Sequence, residues 1–164
     1  MTAHRYLVAL GSNVRHPRYG NPRSVIAAAL AALDKAGARV EVASPVIASV
    51  PLGPSRRRYA NAAAVIASAL APEGLLDVLQ AIERDFGRRR RGARWGARVL
   101  DLDLILWSGG AWASDRLVVP HPLFRRRAFV LRPAAAIAPE WRDPLTGLTL
   151  AHLHARLTRG NPLA

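Results

Sequence analysis

The chain has 164 residues, with 24 lysines and arginines against 11 aspartates and glutamates, a formal net charge of +13 and no cysteine. That length makes one domain with a core large enough to fold without disulfides or a structural metal, and the lack of cysteine excludes thiol catalysis, disulfide frameworks and Cys-ligated zinc. The longest unbroken apolar run, Val25 to Leu33, is far shorter than the roughly 20 residues of a membrane helix, and Tyr6 to Leu10 falls short of a signal-peptide core of about 7–15 residues, so a cytoplasmic protein is expected.

Arg5 to Leu10 is apolar enough for a strand, with Gly11-Ser12-Asn13 as turn residues after it. A polar loop follows from Val14 to Arg23. Ser24 can cap a helix to about Ala36, since Val25, Ile26, Leu30 and Leu33 recur at helical spacing and Gly37 is placed to end it. Arg39 to Ser49, rich in Val and Ile, reads as a strand broken by Pro45. Val50 to Pro54 cannot continue it. Tyr59 to Leu70 reads as another strand, although its alanines alone favour helix. Pro72 and Glu73 suit the start of a helix whose stripe Leu75, Leu76, Leu79, Ile82 and Phe86 runs until Gly87. Arg88 to Arg98 has no amphipathic period and reads as a loop. From Val99 to Trp107 leucine recurs at every second position, so Leu100, Leu102, Leu104 and Leu106 should face one way and Asp101, Asp103 and Ile105 the other. Leu117 to Val119 suggests a short returning strand, Ala128 to Ala138 a helix interrupted by Pro133, and Thr149 to Leu157 a last short helix. The order strand, helix, strand, strand, helix, strand predicts an α+β fold: a ferredoxin-like βαββαβ core with a mainly antiparallel sheet covered by helices.

The charge is almost all arginine: 23 arginines against Lys35 alone. GC-rich codon usage, which the 31 alanines also suggest, accounts for arginine over lysine but not for the excess of base over acid, which favours polyanionic ligands. Three clusters, Arg56-Arg57-Arg58, Arg88 to Arg91 and Arg125-Arg126-Arg127, fall in loops or loop edges and could be three walls of one anion site.

The sharpest chemical signal is Asp101-Leu102-Asp103. On a strand the two carboxylates project from one face about 6.5–7 Å apart and can converge on hard cations. A solvated strand face is the commoner origin of an isolated pair of this kind. Here the opposite face is leucine and an arginine-rich loop precedes the pair, and carboxylates for metal beside guanidinium groups for phosphate suit phosphoryl transfer. The tract from Arg88 to Arg98 serves equally as an RNA-binding segment with Trp95 stacking on a base, although such a module has no need of the paired aspartates. A polymerase-β-like nucleotidyltransferase also uses a Gly-Ser turn and a D-x-D pair, but close together in sequence. His121, held between Pro120 and Pro122, can donate to a phosphate or cap a turn. Tyr59 and Asn61, at i and i+2, offer an aromatic surface beside an amide, or simply a packing pair.

Taken together, Ala9-Leu10-Gly11-Ser12-Asn13, Pro51-Leu52-Gly53-Pro54, Tyr59-Ala60-Asn61-Ala62, Ile82-Glu83-Arg84, Arg94-Trp95-Gly96-Ala97-Arg98, Leu100-Asp101-Leu102-Asp103 and Val119-Pro120-His121-Pro122 leading to Arg127-Ala128-Phe129 closely resemble the 6-hydroxymethyl-7,8-dihydropterin pyrophosphokinase family. The resemblance implies transfer of pyrophosphate from ATP to the pterin hydroxymethyl group in tetrahydrofolate biosynthesis, releasing AMP, with two Mg²⁺ held by Asp101 and Asp103. It implies a pterin between Tyr59 and Phe129, read by Asn61 and by backbone groups around Ser49 and Leu52. Arg88 and Arg98 would contact the transferring phosphates under Trp95, and His121 and Arg127 the triphosphate. Gln80 and Glu83 would face the nucleotide, flanked by Leu104 and Arg116. A single pyrophosphokinase domain over residues 1–164 is expected, a monomer acting on small molecules, with no specific nucleic acid and no membrane. Ile47 and Ser49 stand where many members carry an aromatic residue and a threonine, and neither the basic loop Arg15 to Arg23 nor Arg56 to Arg58 has a counterpart role.

Overall fold

The computed structural model describes residues 3–49, 59–87 and 99–159. Its main sheet is antiparallel throughout, in the order β2 (Arg39–Ala43), β4 (Tyr59–Ser68), β1 (His4–Ser12), β5 (Asp101–Trp107). The short strand β3 (Ile47–Ser49) continues the β2 edge and pairs with the first residues of β4. Pro45 makes the break expected between β2 and β3. Ser44 bridges it, its N–H donating to Ala63 C=O at 2.8 Å and its Oγ accepting the Ala63 N–H at 2.9 Å.

Helices α1 (Pro22–Lys35) and α2 (Pro72–Asp85) cover one face of the sheet. There Tyr6, Val8, Leu10, Ala64, Ile66, Leu102 and Leu104 pack with Ile26, Leu33, Leu75 and Leu79. On the other face lie the 3₁₀ turn Phe124–Arg126, α3 (Ala128–Ile137) and α4 (Leu150–Arg159), whose Phe124, Leu131 and Leu153 meet Leu7, Ala9, Val65, Ile105 and Leu106. The ferredoxin-like βαββαβ core is therefore covered on both sides. Burial on both faces is also why β1 and β4 read as unbroken apolar runs rather than alternating ones. Among the described residues no helix is long and apolar enough to cross a membrane.

Several local expectations are corrected. Helix α1 begins at Pro22 and is capped by Asn21, whose side chain accepts the Ser24 N–H at 2.9 Å; Ser24 receives the cap rather than supplying it. Pro133 lies inside α3 without interrupting it; the one bond it forgoes would have ended on Phe129 C=O, in the first turn of the helix. Thr149 precedes α4 and accepts the His152 N–H at 3.1 Å, so it caps that helix. Gly11 and Ser12 are in β1, not in a turn, because both continue its pairing with β4.

The leucine alternation of β5 holds only to Leu104. The β1–β5 register shifts between Leu7, opposite Leu106, and Val8, opposite Leu104. Ile105 is thus the extra residue of a bulge, and Ile105 and Leu106 both fall in the α3–α4 core. Strand β5 thereby contributes apolar side chains to both cores while its first three residues keep strict alternation. A two-stranded ribbon, β6 (Trp112–Ala113) with β7 (Val118–Val119), follows β5.

Candidate active site

Asp101 and Asp103 project from β5 on the α3–α4 side of the sheet and are half-buried, while Leu100, Leu102 and Leu104 are buried on the other side. Among the described residues β5 is an edge strand, and the outward N–H of Leu102 faces no partner strand there. It donates to Glu83 Oε2 at 3.0 Å. Glu83 comes from α2 and is only 3 % exposed. The carboxylate expected to face a nucleotide is engaged with the backbone between the two aspartates, and Gln80, one turn earlier, is exposed. Glu83 lies between Leu79 and Phe86 on the apolar stripe of α2, and a charged residue at a core position is the sequence signal of a buried, partnered group.

Across the sheet, Asn61 of β4 pairs with Gly11 of β1, and Gly11 pairs with Asp101. These three residues form one row on the same face. At its far end Ile47 pairs with Asn61, and Ser49 with Tyr59. Ser49 Oγ–H donates to Asn61 Oδ1, which leaves the Asn61 amino group as the donor over Gly11. A Cβ at Gly11 would come within 3.2 Å of that nitrogen and 3.7 Å of Tyr59 Cδ1. The missing side chain therefore keeps a gap between an amide, an aromatic ring and an aspartate, a role that the turn reading of Gly11 did not anticipate. Phe129, partly buried, lies in the first turn of α3 on this face, with the Arg127 guanidinium 5.7 Å from its ring centre.

Next to Asp103 an open cavity of about 290 Å³ is lined by Asp103, Leu104, Arg116, Leu117 and His121, among others. Of its two sequence readings, His121 shows the turn cap directly. Its Nδ1 accepts the Leu123 N–H at 3.1 Å, capping a turn, and its own N–H donates to Ile105 C=O at 3.0 Å. With Nδ1 accepting, the neutral ring carries its proton on Nε2. Burial pushes the His121 pKa below its ordinary value, and Arg127 adds to this against the opposing pull of Asp103. That shift favours the neutral ring, with Nε2–H as its hydrogen-bond donor. Arg116 donates to Asp77 at 2.5 Å, and that hydrogen bond and charge raise its pKa. Ser114 Oγ–H donates to Glu73 at 3.1 Å, so the segment between β6 and β7 is tied twice to α2.

The structure thus brings Ser49, Tyr59, Asn61, Asp101 and Asp103 onto one face, with Leu104, Arg116 and His121 around the adjoining cavity. Leu52, Arg88, Trp95 and Arg98, and the cluster Arg56 to Arg58, lie outside the described residues. Among the described residues no group of three metal-ligating side chains forms.

A family model for 7,8-dihydro-6-hydroxymethylpterin-pyrophosphokinase (HPPK) matches residues 7–139. The chain is 45 % identical to the 2-amino-4-hydroxy-6-hydroxymethyldihydropteridine pyrophosphokinase of Pseudomonas aeruginosa over 85 % of this chain and 84 % of that one. It is 41 % identical to the Synechocystis protein of the same description, over 92 % of this chain and 74 % of that one. Over 94 % of its length it is 35 % identical to the mitochondrial folate synthesis bifunctional protein of Arabidopsis thaliana, of which the match covers 26 %. Among solved structures, a Plasmodium falciparum HPPK-DHPS crystal structure shares the fold at a TM-score of 0.75 and 12 % identity. The match covers 96 % of this chain and 44 % of that one, so the chain spans less than half of that longer protein.

Replacing Glu83 by Ala should strand the Leu102 N–H at a site 4 % exposed and cost about 1–3 kcal/mol. Glu83→Gln, which keeps an acceptor oxygen, should recover part of the loss, as measured by urea unfolding of the three proteins.

Proposed function

The chain belongs to the 7,8-dihydro-6-hydroxymethylpterin-pyrophosphokinase family and is an ATP-dependent pyrophosphokinase of folate biosynthesis, and we propose that the row Asn61–Gly11–Asp101, with Asp103 beside it, is where its two substrates meet. The observation that carries this reading is the sharing of one sheet face by an amide-and-aromatic gap and an acidic pair. A flat heterocycle needs the first. A nucleoside triphosphate with its cation needs the second.

In this reading the pterin lies over Gly11 between Tyr59 and Phe129. Asn61, its oxygen already held by Ser49, turns its amino group to an acceptor on the ring, and backbone groups near Ser49 and Leu52 complete the recognition. The triphosphate takes hydrogen bonds from His121 Nε2–H and Arg127, with Arg88 and Arg98 on the transferring phosphates and Trp95 closing over them. Leu104 and Arg116 flank the nucleoside in the cavity, with Gln80 and Glu83 on the α2 side. Two carboxylates at i and i+2 are a donor set that Mg²⁺ accepts when phosphate oxygens and waters complete its shell, so Asp101 and Asp103 would hold it. Bound there, Mg²⁺ would neutralise phosphate charge.

The pterin hydroxyl oxygen forms a bond to the β-phosphorus of ATP as the bond from that phosphorus to the oxygen bridging to the α-phosphate breaks. AMP leaves with the electron pair, and the hydroxyl proton is lost near Asp101. Placement and charge stabilisation suffice for such a transfer, and no covalent enzyme intermediate is required. Residues 1–164 act in this reading as a single domain and as a monomer, in the cytoplasm where ATP is abundant.

Incubation of the protein with ATP, Mg²⁺ and hydroxymethyldihydropterin should yield AMP and the pterin diphosphate in equal amounts. Asp101→Ala or Asp103→Ala should lower that turnover by at least about a hundredfold, with the far-UV circular dichroism unchanged; near-normal turnover of either variant contradicts the reading. Gly11→Val should raise KM for the pterin and leave KM for ATP within about twofold, since the branched side chain fills the gap beside Asn61 and not the cavity beside His121.

A further inference from the structure

The run Arg125-Arg126-Arg127 presents three identical charges next to the proposed triphosphate site, and the structure sends them to three different places. Arg127 lies over Phe129, with its charge felt at His121. Arg126 is exposed. Arg125 turns away into a two-pronged pair with Asp143, Nε to Oδ2 at 2.6 Å and a terminal nitrogen to Oδ1 at 2.8 Å. Asp143 is fully buried and has further donors: the Leu145 N–H at 3.0 Å and the Thr146 hydroxyl at 2.7 Å. Its own backbone closes the turn, accepting from Gly147 N–H and donating to Leu148 C=O, each at 2.8 Å. Asp143 is therefore a rigid anchor just ahead of α4.

What Arg125 needs from such an anchor follows from the turn it sits in. Phe124–Arg126 is a single 3₁₀ turn, held by backbone hydrogen bonds of 3.1–3.3 Å from the Phe124, Arg126 and Arg127 N–H groups. Bonds of that type are poorly aligned and hold a segment weakly. The buried Phe124 ring fixes the middle of the turn, and the Arg125 guanidinium, 4.7 Å from that ring centre, fixes its outer side through Asp143. His121 lies at one end of this turn and Arg127 at the other.

We propose that Asp143 is a positioning residue for the nucleotide: by engaging Arg125 it pins the turn and leaves Arg127, rather than its neighbour, to meet the triphosphate. This rests on the reading above, in which His121 and Arg127 bind ATP. The carboxyl of Asp143 is buried, which alone would raise its pKa, yet the hydrogen bonds from Arg125, Thr146 and Leu145 and the charge of Arg125 hold it below the ordinary range. The anchor is therefore ionised throughout the neutral range and is lost only when acid protonates it.

The test compares wild type, Asp143→Asn and Arg125→Lys in steady-state AMP formation at pH 7.5, varying ATP and pterin separately. Asp143→Asn keeps the shape and removes the charge, and it should raise KM for ATP about tenfold while KM for the pterin stays within twofold. Arg125→Lys keeps a charge but not the fork and should fall between. Joining Asp143→Asn with Arg125→Met should be no worse for ATP than the more impaired single variant, as expected of partners in one interaction. An unchanged KM for ATP in Asp143→Asn, or equal rises in both KM values, overturns the proposal. So does a fall in kcat alone that follows the folded fraction, which marks a purely structural role. Should Asp143→Asn not fold, Arg125→Lys decides by the same criteria. A wild type that binds ATP but forms no AMP overturns instead the reading on which the proposal rests.

Discussion

The register of β1 between β4 and β5 is the constraint on which the site depends. It puts Asn61, Gly11 and Asp101 in one cross-strand row, and a slip of one residue at β5 would turn both carboxylates into the core formed with α1 and α2. Register is fixed most firmly where both faces are buried, and β1, with Tyr6 to Leu10 all within the two cores, has no solvated face on which to slide. Among the described residues, strand β5 has β1 on one side only. Glu83 supplies on the other side the acceptor that a further strand would have given. The acidic pair is thus held at an edge, where a ligand can reach it, without the looseness of an edge strand.

Much of this was legible in the sequence because it followed from local pattern. The stripe of α2, the break at Pro45, the positive φ of Gly37 and Gly87, and the placement of Asp101 and Asp103 opposite three leucines all rest on neighbours a few residues apart. One misreading was local, the cap of α1; the others depended on distant partners. Asn21 rather than Ser24 caps α1 because Pro22 already supplies the first helical turn. The bulge at Ile105 is set by β1, about a hundred residues earlier, and no local signal marks it. Gly11 looked like the beginning of a turn because glycine, serine and asparagine favour turns; its use is to leave room beside Asn61, which only the paired strand reveals. The family resemblance carried the functional reading further than residue types alone could, since Arg88 to Arg98 taken by itself suited RNA as well as a nucleotide.

The arginine excess has more than one use. Arg5 pairs with Glu41, Arg116 with Asp77 and Arg125 with Asp143. Arg23 donates to Val46 C=O and Arg142 to Gly147 C=O. Apart from the local Arg142 bond, the guanidinium in these positions connects segments apart in sequence, and in the three ion pairs its charge is partly neutralised. Exposed pairs such as Arg5–Glu41 contribute little stability; with Asp143 buried, removing its Arg125 partner is costlier because it leaves a buried charge uncompensated. Part of the basic character that first suggested any polyanion is therefore used within the fold itself.

The central claim is that one sheet face brings a pterin and a metal-bound triphosphate together. A crystal structure of the protein with Mg²⁺, a non-hydrolysable ATP analogue and hydroxymethyldihydropterin tests it most directly. The account predicts the cation on Asp101 and Asp103, and the ring over Gly11 with Asn61 donating to it. A cation bound elsewhere, or a pterin seated away from the Asn61–Gly11–Asp101 row, would contradict it.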